Sequence, residues 1–199
     1  MSLADIMIPK ESCSDVDVLT NWIESSQKSW KFADQQVKIS ELETGRGLIA
    51  EKNFDYGDVI CSIPYSLAIT CSTVRRDPMI SEIIDNLHRM DRMSYKELFI
   101  LFLVLHKRLG EDSKYFVYLQ SLPVNYTNPS LWTDIQIKRL SPTLQKLVGV
   151  ERQMLQDSRR KLNKWMEKPD RVRLNQSWSP KTNLDSINQD DFNWAYTSF

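Results

Sequence analysis

The sequence is short of the residues that usually mark a metal, redox or phosphate site. Its 199 residues include three cysteines, Cys13, Cys61 and Cys71, and two histidines, His88 and His106. The cysteines form no CxxC pair and the histidines are not at ligand spacing, so no metal site and no disulfide framework is expected. Three reduced thiols are the expectation, and with them a cytoplasmic or nuclear setting. A charge excess is also missing, since 26 Lys and Arg balance 26 Asp and Glu. That balance excludes a chain whose overall charge is built to hold nucleic acid. Long apolar runs are absent as well. The longest, LFILFLVLH from Leu98, is about half of what a membrane span needs. The first thirty residues carry Asp5, Glu11, Asp15 and Asp17 and no apolar stretch of signal-peptide type, so neither membrane nor secretory targeting is expected.

Glycine is scarce too. There are five in all, and two of them stand one residue apart in Thr44-Gly45-Arg46-Gly47. No third glycine completes a dinucleotide fingerprint, and no P-loop string occurs. The pair lies between two strand-like stretches, so it reads first as a tight turn in which glycine reaches φ > 0 at little cost. A ligand meeting this turn would meet bare backbone, with no phosphate cradle at a helix N-terminus.

The chain does have enough apolar material for a core: 41% hydrophobic and 10% aromatic residues. Asp15 can cap a helix running to about Trp30, with Val18, Leu19, Trp22, Ser26 and Trp30 on one stripe. QVKIS, LIA, VICSIP and LAIT then read as four short strands, the third ending at Pro64. After Thr70 the pattern turns helical, with Ser72 or Thr73 as the cap. One helix carries Ile80, Ile83, Ile84 and Leu87. A second is opened by a Ser94–Glu97 capping box and stopped by Gly110, and it is apolar nearly all round, as a central buried helix would be. KYFVYLQSLP is a shorter aromatic segment, and Thr133 with Gln136 marks another start. Pro142 opens a long helix to about Glu167. Residues 168–183 read as a loop, and Asn188, followed by Asp190 and Asp191, begins a last helix. From Glu151 to Arg173 eight basic residues stand against four acidic ones, the pattern of a solvated helix face.

Three stretches, in this order, go further than local chemistry: GRGLIAEKNFDYGDVICSIPYSLAIT, LFILFLVLHKRLGEDSKYFVYLQSLPVNYTNP and DDFNWAYTS. Together they resemble the SET-domain methyltransferases of the Rubisco large-subunit methyltransferase type. The resemblance implies an α+β fold, with a small β-rich N-terminal part of a SET domain followed by a large helical insertion. It implies boundaries at residues 1–35 (N-terminal helical segment), 36–75 (first half of the SET domain), 76–185 (helical insertion) and 186–199 (start of the second half). It also implies S-adenosylmethionine as cofactor and a lysine-bearing protein as substrate, with Thr44, Gly45, Arg46 and Gly47 lying against the cofactor. In that family the second half of the SET domain supplies an Asn-His pair, a tyrosine near the methyl transfer and an arginine shortly after the Trp-Ala helix. No Asn-His dipeptide occurs in this sequence, and Trp194-Ala195 is followed by only four residues. The expectation is therefore a form that stops before the C-terminal strands and does not itself catalyse, with no catalytic residue assigned and Tyr196 read as a packing residue. The other reading left open is a non-catalytic interaction or regulatory module that works through its helical block. Nucleic-acid binding by the basic helix ranks last.

Overall fold

Two units divide the chain, Met1–Ala68 and Ile69–Phe199. The computed structural model describes residues 14–26, 36–43, 45–85, 93–167 and 187–198.

In the first unit, helix α1 covers Ser14–Ser26, starting one residue before the expected cap. Strands β1 (Val37–Leu42) and β2 (Gly45–Ala50) form an antiparallel hairpin. Its register pairs Val37 with Ala50, Ile39 with Leu48, and Leu42 with Gly45. The open end is closed by Glu51 N–H donating to the Gln36 carbonyl at 2.8 Å.

The expected four strands reduce to these two. VICSIP forms no strand, and LAIT forms none either: its Leu67 ends the 3-10 turn Tyr65–Leu67, and residues 68–70 lead into the next helix. Alternation prepares a segment for a sheet, but a strand also needs a neighbour for its backbone groups. Among the described residues β1 and β2 pair only with each other, and Val59, Ile60 and Ile63 stay exposed.

The second unit is helical. The helix expected from Ser72 is two helices, α2 (Cys71–Arg76) and α3 (Pro78–Asp85), because Pro78 cannot continue the ladder and forces Asp77 into extended backbone. Thr70 caps α2 through the Thr73 N–H. Helix α4 (Tyr95–Leu109) carries the expected capping box, and Gly110 at φ 59° ends it. Ile100, Leu101, Phe102, Val104 and Leu105 are fully buried, which makes α4 the centre of the core.

Around it lie α5 (Phe116–Gln120), the single turn α6 (Asp134–Ile137) with its Thr133–Gln136 box, α7 (Pro142–Met166) and α8 (Gln189–Ser198). Helix α7 starts where Pro142 predicts it, with Ser141 capping the Leu144 N–H. It buries Val148, Leu155, Leu162 and Trp165. The loop expected at 168–183 lies outside the described residues.

Polar contacts fasten these helices. The Glu97 carboxylate accepts from its own N-cap backbone at 2.6 Å and from Lys161 of α7 at 2.7 Å. Arg152 of α7 donates to Asp134 and to the Ser130 and Trp132 carbonyls. The hydrogen bond and charge of Arg152 hold the exposed Asp134 carboxyl below its ordinary value. Three of the basic residues of α7 have anionic partners within the unit: Arg152, Lys161 and Arg160, the last paired with Asp157.

Candidate functional site

Gly45 and Gly47 do not form the turn of the hairpin. They open β2, and the connection is Glu43 with residue 44. The register explains this: Leu42 and Gly45 are already a cross-strand pair, which leaves only two residues to reverse the chain. Gly45 has φ 115°, a conformation that side chains rarely adopt, and a Cβ built there would meet nothing within 4 Å. At Gly47 an added Cβ would come within 2.8 Å of the Leu42 Cδ1. Residues two apart share a face of a strand, so the glycines stand on one side of the hairpin, opposite Leu42 and Ser40.

The result is bare backbone that is open at Gly45 and overlain at Gly47 by the end of the Leu42 side chain. Of the four residues expected to meet a cofactor, the structure thus describes both glycines and the backbone of Arg46, which pairs with Glu41. Thr44 lies outside the described residues. Such a strip offers main-chain contact.

The second unit holds a cavity of about 230 Å³ walled by α4 (His106, Lys107), α5 (Phe116, Leu119, Gln120), Leu122, Val124 and Trp194 of α8. Trp194 is anchored by its indole N–H to the Pro123 carbonyl at 3.0 Å. Lys107 crosses its ring at 4.5 Å and bonds Asp191 at 2.8 Å. Asp191 in turn receives Asn188, the expected cap, which accepts the Asp191 N–H at 2.7 Å. Helix α8 is therefore pinned along its length on the wall of this cavity. Tyr196 is 3% exposed and donates to Glu151 at 2.8 Å, with Lys96 over its ring at 3.6 Å. Burial, then the hydrogen bond and charge of Glu151, push its hydroxyl far above the ordinary phenol range. A phenol held so firmly in its protonated form serves as a packing group and a donor, in line with the sequence reading.

Sequence reasoning missed one buried cluster. His106 bonds Asp77 through Nε2 at 3.0 Å and Ser113 through Nδ1 at 2.8 Å. The order serine, imidazole, carboxylate has the lengths of an acyl-transfer triad. However, Ser113 is 5% exposed and is not among the cavity walls, so no substrate reaches its oxygen. The only hint in the sequence was a histidine at the end of an all-apolar helix. Burial alone would raise the Asp77 carboxyl, but the hydrogen bond and charge of His106 with the Ile80 and Met79 amides outweigh it and hold it low. Among the described residues no group of His, Cys, Asp and Glu could hold a metal ion. None of the described helices is long and apolar enough to cross a membrane.

No family model matches the sequence. A curated relative, SET domain-containing protein 4 of Artemia parthenogenetica, is 23% identical over 117 residues, which is 59% of this chain and 28% of that protein. Among solved structures, Rubisco LSMT bound to sinefungin and monomethyllysine matches with a TM-score of 0.70 at 26% identity, covering 94% of this chain and 40% of that one. Rubisco LSMT bound to AdoMet gives 0.69 at 26%, covering 96% and 39%. The SET domain of LSMT bound to lysine and AdoHcy gives 0.66 at 24%, covering 94% and 38%. The chain thus spans under a third of the curated relative's length and about two fifths of each matched structure. By sequence and by fold, it is similar to the SET-domain methyltransferases of the Rubisco LSMT type.

Proposed function

We propose that this chain is a member of the SAM-dependent protein-lysine N-methyltransferases and that its 199 residues supply one wall of the cofactor site, without transferring methyl groups by themselves. The observation that carries this reading is the Gly45–Gly47 pair, where main chain is open at Gly45 and covered at Gly47 only by the tip of the Leu42 side chain, in a chain whose matched structures hold AdoMet, sinefungin and monomethyllysine. Methyl transfer from a sulfonium needs a neutral amine nucleophile, in-line geometry and surroundings that favour the deprotonated lysine. The hairpin serves the cofactor side of that requirement. In this reading Gly45 and Gly47 lie under the cofactor, Arg46 and Thr44 flank it, and the groups that receive the lysine are not among the residues assigned here. The free thiols Cys61 and Cys71 fit a reducing compartment, so we place the protein in the cytoplasm or nucleus.

Calorimetric titration with SAM and sinefungin, run beside a labelled methyl-transfer assay, tests the proposal. The 199-residue chain should show no turnover. A version extended to the length of its relatives should bind SAM, and Gly47→Ala in that version should weaken binding about tenfold, the effect of losing close main-chain approach. Turnover by the 199 residues alone would overturn the inactive assignment. An extended protein that binds no SAM would overturn the family function.

One observation favours a second reading, an interaction or regulatory module. The first half of α7 exposes Leu144, Leu147, Val150 and Met154, each at 47% or more. A partner retained by the chain and lost on Leu147→Glu would support this; equal retention by both would count against it.

A further inference from the structure

The cavity of about 230 Å³ lies wholly within the second unit and shares no residue with the hairpin. Three of its walls are rings: His106, Phe116 and Trp194. Two of these are locked. Trp194 is 8% exposed and gives its indole N–H to the Pro123 carbonyl at 3.0 Å. His106 is buried, and its ring nitrogens are taken by Asp77 at 3.0 Å and Ser113 at 2.8 Å. Neither ring has a polar atom left for a ligand, so both offer aromatic surface held in place. Leu119 and Leu122 add aliphatic wall. Two polar side chains remain. Lys107 is the one charged group in the wall, and its charge is answered by Asp191 at 2.8 Å while its ammonium stands over the Trp194 ring. The exposed Gln120 amide side chain has no hydrogen-bond partner among the described residues. Val124, 77% exposed, marks the mouth.

We propose that this cavity binds a small neutral aromatic molecule, one or two fused rings carrying an uncharged polar group that meets the Gln120 amide. Size, charge and the fixed walls each point there. An apolar cavity of about 150 Å³ accepts benzene, so one half as large again takes a bicyclic ring. A charged ligand would leave water for a wall whose one charge is already paired, and that desolvation is costly. Walls held by their own hydrogen bonds lose little freedom when a ring lies on them, so the ordering cost of binding is small. Aromatic neighbours favour a ring over an aliphatic chain of equal size. A single polar side chain at the wall then fixes the orientation of the ring. The mouth separates a free molecule from a partner's side chain. Val124 is the large apolar residue that the wall leaves strongly exposed, and one such residue gives a peptide no apolar strip to lie along. Ligand binding here is independent of SAM, since no residue of the hairpin takes part.

Indole-3-acetamide, indole-3-acetate and tryptamine share one ring system and differ in charge at neutral pH, so together they test size and charge. Added to the isotope-labelled 199-residue chain and followed by NMR, the neutral amide should bind at about 1 mM or tighter and shift the Trp194 indole N–H and the Leu119 methyls. The anion and the cation should bind at least about fivefold more weakly. Val124→Trp should weaken the amide about tenfold by placing a ring in the mouth, with the denaturation midpoint unchanged. If that new ring stays in solvent, nuclear Overhauser contacts between the amide probe and the Leu119 methyls decide the site by themselves. Binding without those contacts, or no binding at about 5 mM, would overturn the proposal. So would an acetate that binds as tightly as the amide, or a capped Ala-Trp-Ala peptide that matches the free molecule.

Discussion

The two glycines of the hairpin do different jobs, and single substitutions should separate them. Gly45 sits at φ 115° in open space, so its constraint is backbone conformation alone. Gly45→Ala is expected to cost about 1–2 kcal/mol, because alanine there is strained without any clash. Gly47 has ordinary backbone, and its added Cβ would meet only the end of the half-exposed Leu42 side chain, which can move. Gly47→Ala should therefore leave hairpin stability within about 0.5 kcal/mol while removing close approach from that face. Amide exchange at Ile39 and Leu48 in each variant checks the difference.

Asp77 is the other decisive residue. Asp77→Ala leaves His106 and two amides without an acceptor and should cost about 3 kcal/mol in chemical denaturation. Its carboxyl is held below the 3.8 of a free side chain. The stability it adds is therefore complete above that value and is lost as pH falls through the lower folded one. The wild-type protein should lose stability more steeply below pH 4 than Asp77→Asn, as denaturant midpoints measured from pH 5 to 2 will show.

At the level of elements, α7 is a long helix with a narrow buried seam. Leu162 is fully buried where α7 closes over the core, so Leu162→Ala should cost about 2–5 kcal/mol. Leu147, on the same helix but 62% exposed, should cost under about 0.5 kcal/mol when changed to alanine. A urea series of the two variants tests whether α7 is held by its seam or by its polar ties. The α2–α3 break makes a related point. Asp77 ends one helix, caps the next and bonds α4, so a single residue fixes three elements.

For the whole molecule, burial is very uneven. In the first unit Val37 is the buried apolar residue among those described, whereas the second unit buries a continuous cluster from Val74 to Tyr196. An isolated two-stranded hairpin is marginal in water. Hydrogen exchange should therefore show strong protection along α4 and weak protection at β1 and β2, the latter also inviting edge-to-edge association. Equal protection in both units would contradict this account of where the stability lies.

The sequence alone determined the features that depend on neighbours in the chain. The boxes at Ser94–Glu97 and Thr133–Gln136, the stop at Gly110, the start at Pro142 and the Asn188 cap are local hydrogen-bond and backbone chemistry, and all are found where the residues predict. The all-round apolar pattern of α4 likewise announced a central helix. Tertiary structure decided what depends on partners far along the chain. Whether Val59–Ile63 becomes a strand turns on a neighbouring edge. Whether the glycine pair is turn or strand turns on the cross-strand register. Whether His106 has a partner for its ring in the core turns on Asp77, which is 29 residues away. Pattern reports which face of a segment is apolar, but a ladder, a register or a buried hydrogen bond exists only once the second partner has been brought to it.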